Sequence, residues 1–338
     1  MRTASSWPAR AAVLALLLAL GGALTACTGD TDGSDQPGQA VETTTPGGSA
    51  EPPVPDMPVW QQRAQIDTPR DDFAHVVVGD EIWTFGGMTG DRGTRLSSTE
   101  VYDTTSDTWR YGPDLPEGLC SFEGAAVGRQ VYLFGGLDEA SQPTDFAAAL
   151  DTRTGQWRRL PPLPHPRYAH DVARLGGLIY VMGGEDSEGP EAAVDVFNPR
   201  TGQWSHTAPM PDARSSIDLA PVDGRMYVVG GWLGAGPTAR VQVYDPAGDR
   251  WRESTPLPQP MSRGGAAAVG GRIYVSYHEW SYVYDVATDT WSRANPMTVP
   301  RHGLGYIAVG KRIYGIGGCT EHPLRDVPFV DVLDVSSV

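Results

Sequence analysis

Apolar and aromatic residues along the chain come in short units. Ile82-Trp83, Val131-Tyr132, Ile179-Tyr180, Met226-Tyr227 and Ile313-Tyr314 are each followed closely by a glycine pair: Gly86-Gly87, Gly135-Gly136, Gly183-Gly184, Gly230-Gly231 and Gly317-Gly318. Further on stand Tyr102, Leu150, Phe197, Tyr244 and Tyr284, each seven residues ahead of a tryptophan. The segments between are turn-forming strings such as Asp-Thr-Arg-Thr-Gly-Gln. Apolar stretches flanking a tight polar turn describe a hairpin, and two hairpins per unit give four strands. Six tryptophans (Trp60, Trp109, Trp157, Trp204, Trp251 and Trp291) mark the period, with spacings of 49, 48, 47, 47 and 40 residues. A four-stranded unit repeating every 40–50 residues is one sheet of a radial array.

The ends of the pattern give the count and the closure. Residues 59–338 hold six units. The last unit has its glycine pair and Val330-Asp331-Val332-Leu333-Asp334 but no tryptophan after them. Trp60 stands ten residues before Arg70, the same gap as Trp157 to Arg167, Trp204 to Arg214 and Trp291 to Arg301. The segment around Trp60 is therefore predicted to supply the outer strand of the final sheet, which joins the two ends and removes an open edge.

Composition agrees with many short elements. The 338 residues include 41 Gly and 29 Pro, which argues against a helical bundle. The formal net charge of −15 excludes a nucleic-acid partner, because such binding depends on a field of Lys and Arg. At the N-terminus, Arg2 and Arg10 precede an apolar run from Ala11 to Leu24, too short to span a bilayer and suited to a secretory signal. It ends in Leu24-Thr25-Ala26-Cys27, which resembles a bacterial lipobox. Residues 1–26 are accordingly expected to be a lipoprotein signal peptide, with lipidation on Cys27 at the outer face of the cell membrane. Residues 27–58, rich in Gly, Ser, Thr, Pro and Asp, are expected to be a disordered tether.

The glycine pair after a β-branched-aromatic strand, with its spaced Tyr and Trp, resembles the kelch motif. Residues 59–338 resemble an all-β, six-bladed kelch β-propeller with four antiparallel strands per blade. One blade departs from the motif: its aligned pair is Tyr277-His278, and its next loop is seven residues shorter.

In kelch domains that recognise acidic peptides, arginines ring the pocket. Thirteen residues before the aromatics here stand Arg70, Arg167, Arg214 and Arg301, with Leu119 in the second blade and Arg263 displaced by two in the fifth. The resemblance implies a carboxylate site; the alternative is that each Arg bridges to an acid of the neighbouring blade. Nine residues before the same aromatics, Glu123, Asp171 and Asp218 fall on three consecutive blades. They are expected either to pair with the adjacent arginines or to make the channel mouth acidic on one side and basic on the other, suiting a sugar-acid or zwitterionic ligand.

The seven histidines show no metal spacing, and the sequence assigns no metal, cofactor or catalytic residue. His278, His302, Cys319 and His322 share the loop face, and a Cys120–Cys319 disulfide is open. A copper radical oxidase would need a tyrosine–cysteine crosslink and a further C-terminal domain. An N-acetylneuraminate epimerase type, with Glu123 as base and Arg167 as anion clamp, is the enzymatic alternative. The leading reading is a non-enzymatic module that binds a protein or a small acidic or sugar ligand through its loop face; a scaffold for envelope assemblies is the third.

Overall fold

The structure, a computed structural model, describes residues 54, 57–90, 93–321 and 324–338. The expected signal peptide, Cys27, most of the tether and His322 lie outside the described residues. Within them every regular element is a strand. Six four-stranded antiparallel sheets follow one another around an axis, and their innermost strands form a closed circuit of neighbours. These strands are Ala74–Val78, Glu123–Val127, Asp171–Leu175, Asp218–Val222, Gly265–Val269 and Gly305–Val309.

The last sheet takes its outer strand from the start of the described chain. Gln61 pairs with Val332 and Gln62 with Asp331, and the Arg63 and Ile66 amides continue onto Val330 and Pro328 carbonyls. Trp60 is buried, and its indole N–H donates to the Asn295 carbonyl at 3.0 Å.

The apolar core is not axial. It lies in six wedges, each filled by residues of two adjacent blades. The repeated aromatics meet there: Tyr180 with Tyr244, Tyr227 with Tyr284, and Tyr102 with Tyr314 across the closure, with ring centroids 5.9–6.1 Å apart. The indoles of Trp109, Trp204, Trp251 and Trp291 each donate to a carbonyl of the preceding blade's connection, as Trp60 does. Trp157 is the exception. The carbonyl at the corresponding place, Pro113, accepts the Thr99 hydroxyl instead, and Trp157 Nε1 has no partner among the described residues.

The glycine pairs latch blade to blade. The N–H of Gly87, Gly136, Gly184, Gly231 and Gly318 donates at 2.8–2.9 Å to the carbonyl of Leu119, Arg167, Arg214, Met261 and Arg70 respectively, always in the next blade. A Cβ on Gly183, the first of its pair, would stand 2.5 Å from the Arg214 carbonyl oxygen, and its φ of +60° is left-handed. Only glycine satisfies both conditions. In the fifth blade the latch survives in weaker form: His278, with φ of 49°, donates to the Arg301 carbonyl at 3.4 Å. This register makes Met261, not Arg263, the fifth member of the arginine series.

Candidate functional site

The four arginines expected at the channel mouth are not there. Arg70, Arg167, Arg214 and Arg301 are fully buried inside their own blades. Each guanidinium caps a carbonyl near the end of its second strand and meets a residue of its third. Arg70 donates to the Gly86 and Ser98 carbonyls and pairs with Glu100 at 2.6 Å. Arg167 pairs with Asp195 at 2.5 Å and Arg301 with Asp331 at 2.7 Å. Arg214 finds the amide oxygen of Gln242 at 2.6 Å, and burial without a direct carboxylate pushes it down to about 10. The bridges thus run within blades rather than between them, because the side chain turns outward along its sheet and not toward the axis. Where Leu119 replaces Arg, Ala148 replaces the acid, and both are buried. The partners Glu100, Ala148, Asp195, Gln242 and Asp331 all stand two residues before the third-strand residue of the motif, a covariation present in the sequence.

With the arginines withdrawn, a cavity of about 740 Å³ runs along the axis. Its neck is a belt of backbone. Asp72 N–H donates to Gly303, Ser121 to Asp72, Ala169 to Ser121, Ser216 to Ala169, Arg263 to Ser216 and Gly303 to Arg263, at 2.7–3.1 Å, one residue per blade and closed on itself. All six have φ between 49° and 60°. A left-handed non-glycine residue costs about 1–2 kcal/mol, so five of them persist because the closed circuit satisfies each amide in turn. Residue type gave no warning of the belt, since Asp, Ser, Ala, Ser, Arg and Gly share no chemistry. Side chains on it do: Arg263 spans to Asp72 at 2.5 Å and to Asp71 at 3.6 Å, over Gly303, whose missing Cβ leaves room for the bridge.

Glu123, Asp171 and Asp218 were expected at the channel mouth; they line the cavity two residues past the belt, on the inner strands. Their partners are not arginines. Inner strands of neighbouring blades do not pair with each other, so their amides need acceptors. Glu123 accepts the His75 N–H at 3.3 Å, and Asp171 accepts the N–H of Leu219 and of Val172, both at 2.6 Å. Glu123 also lies 3.0 Å from His75 Nδ1.

Burial alone would lower His75, but the Glu123 carboxylate, with Asp171 behind it, outweighs that and raises it to about 9. The Tyr306 N–H approaches Nε2 at 3.2 Å and favours a bare nitrogen there; the full charge on the other side is the stronger influence. Burial, then the Glu123 charge, pushes Asp171 up to about 7. Burial, then Asp171, holds Asp218 well above the usual carboxylate range, and its Oδ2 is buried without a partner among the described residues. Glu123 and Arg167 do not form the base-and-clamp pair of the epimerase alternative, because Arg167 is buried on Asp195.

Outside the belt the cavity opens among the loops that follow the glycine pairs. Tyr168, Glu185, Trp232, Tyr277, His278 and Glu321 line this mouth. Trp232 and Leu233 are large apolar side chains left 37% and 40% exposed; sequence reading passed over them. The His278 and His302 rings meet at a tilt of 52° with centroids 5.0 Å apart, and burial, then Arg263 and His278, pushes His302 down to about 3. Cys120 is a free, buried thiol raised to about 12 by burial, so it is not disulfide-bonded to Cys319.

The family model described as the KLHDC2/KLHL20/DRC7 Kelch-repeats domain matches residues 121–318, more than half of the chain, and the Kelch motif matches 69–116. This chain belongs to the kelch-repeat family. Among relatives, this kelch propeller is similar to Kelch-like protein 15 of Gallus gallus, 32% identical over 87 residues, which are 26% of this chain and 17% of that protein. It is also similar to an N-(sulfonatooxy)prop-2-enimidothioate sulfolyase of Thlaspi arvense, 30% identical over 94 residues and 27% of each chain. F-box protein AFR of Arabidopsis thaliana is 29% identical over 72 residues, 21% of this chain and 19% of its own. The chain spans about a quarter or less of the length of these relatives, so the likeness is one of repeats.

Proposed function

We propose that this kelch propeller is a protein-binding module that engages its partner through the loop face. The observation that carries the reading is the exposed Trp232-Leu233 pair at the rim of the axial cavity, on loops next to the closed belt. Apolar side chains presented by loops on a fixed scaffold are the usual makings of a recognition surface. Glu123, Asp171 and Asp218 are the proposed polar contacts inside the channel. The arginine-based carboxylate site has no support in this arrangement. A photo-crosslinking amino acid at position 232 should capture the partner in cells, whereas the same group at Tyr111, 62% exposed on an outer strand, should not. Capture at 111 alone would move the interface to the blade edges and favour the scaffold reading.

The lipobox-like Leu24-Thr25-Ala26-Cys27 supports a second part of the proposal: export and lipid anchoring through Cys27, with 27–58 as tether and 59–338 as the propeller. Metabolic labelling with an alkyne fatty acid should mark the full chain and fail to mark Cys27→Ala.

A further inference from the structure

On the side of the second to fourth blades the mouth carries the sign opposite to the one the arginine register implied; Arg95 and Arg325 belong to the loops of the first and sixth blades, and Arg95 reaches Ser141 of this rim. The three loops at 137–143, 185–191 and 232–238 contain Asp138, Glu139, Glu185, Asp186, Glu188 and Glu191 and no Lys or Arg. The one arginine on the belt, Arg263, has its charge met by Asp72 and Asp71. Trp232 stands half-open at this rim and lines the same cavity as Asp218. Asp218 Oδ2 is a buried oxygen with no hydrogen-bond donor among the described residues. Acidic loops and an exposed indole at one mouth call for the same group, a cation with several N–H donors and a flat face, and the buried Asp218 oxygen beneath offers it an acceptor that no described donor occupies.

Resting on the loop-face reading, we infer that the partner presents a basic, extended segment, with an arginine or lysine laid on Trp232 and directed into the channel toward Asp218. Arginine suits it best, because a guanidinium can stack on the indole and still donate to carboxylates. The rim acids then raise the encounter rate and select against acidic segments.

The test titrates the full chain with a fluorescent Arg/Gly/Ser peptide and, separately, a Glu/Gly/Ser peptide of equal length. The Arg peptide should bind, more weakly as salt rises, and the Glu peptide should not. Trp232→Ala, and separately Glu185→Gln with Glu188→Gln, should each weaken binding about fivefold or more. Asp80→Asn with Asp223→Asn, exposed on the opposite hairpin face, removes as much charge and should leave affinity within about twofold. Three results would overturn the inference: equal or tighter binding of the Glu peptide, no binding of either peptide, or a loss from the hairpin-face pair as large as that from the loop pair. None of them bears on crosslinking at position 232, by which the loop-face reading is judged independently.

Discussion

Leu119 and Ala148 occupy in the second blade the places that Arg301 and Asp331 occupy in the sixth, and all four are buried. The propeller therefore accepts at this position an ion pair, an arginine on a neutral amide as in Arg214 and Gln242, or a matched apolar pair. Arg301→Leu alone should cost about 3–5 kcal/mol in a thermal or denaturant melt, because Asp331 is left charged and buried. Adding Asp331→Ala should recover most of the loss. A double variant no more stable than the single one would refute the pairing. Gly183→Ala, whose Cβ would strike the Arg214 carbonyl, should cost about 2–4 kcal/mol. The positions of the arginines were legible from spacing. Their direction was not: the partner acid lies 28–30 residues onward, and one-dimensional spacing does not say whether a long side chain turns to the axis or along its own sheet.

The inner strands carry the pH dependence. Asp171 titrates near 7 in the fold against about 4 when unfolded, so the native state holds a proton that the unfolded chain has lost. Its contribution to stability falls as pH rises from about 4 to about 7. Asp171→Asn should flatten that part of the stability profile in melts from pH about 4 to about 8, while losing one of the two backbone hydrogen bonds that the carboxylate accepts. His75 works in the same sense over a higher pH range. Its pKa of about 9 lies above the unfolded value of about 6.5, so the stabilisation is complete below 6.5 and lost as pH rises through 9. Glu123→Gln should abolish that loss, and melts between pH about 6 and 10 would read it. The three acids were found by register alone. Their bonding to amides of the neighbouring inner strand was not, because an unpaired inner edge exists only once the blades are set in a circle. The belt escaped for a related reason: left-handed backbone is imposed there by six blades together, not by the residue that adopts it.

At the scale of the whole molecule the sequence was most informative, since a repeated tryptophan and glycine pair is a statement about wedges and latches, and six wedges require a ring. It was least informative about the mouth, where Trp232 belongs to no repeat and the sign of the rim depends on which charges are withdrawn into the blades. Every distance in the channel depends on the ring being closed by the strand at Gln61–Gln62. The most direct test places cysteines at Gln61 and Val332, which are paired in register, and at Gln62 and Val332 as the offset control. Mild oxidation followed by peptide mapping should find the 61–332 disulfide in most molecules and little of the 62–332 bond. Failure of both, in a protein that is still folded, would mean that the ends are not joined and that the channel described here does not form.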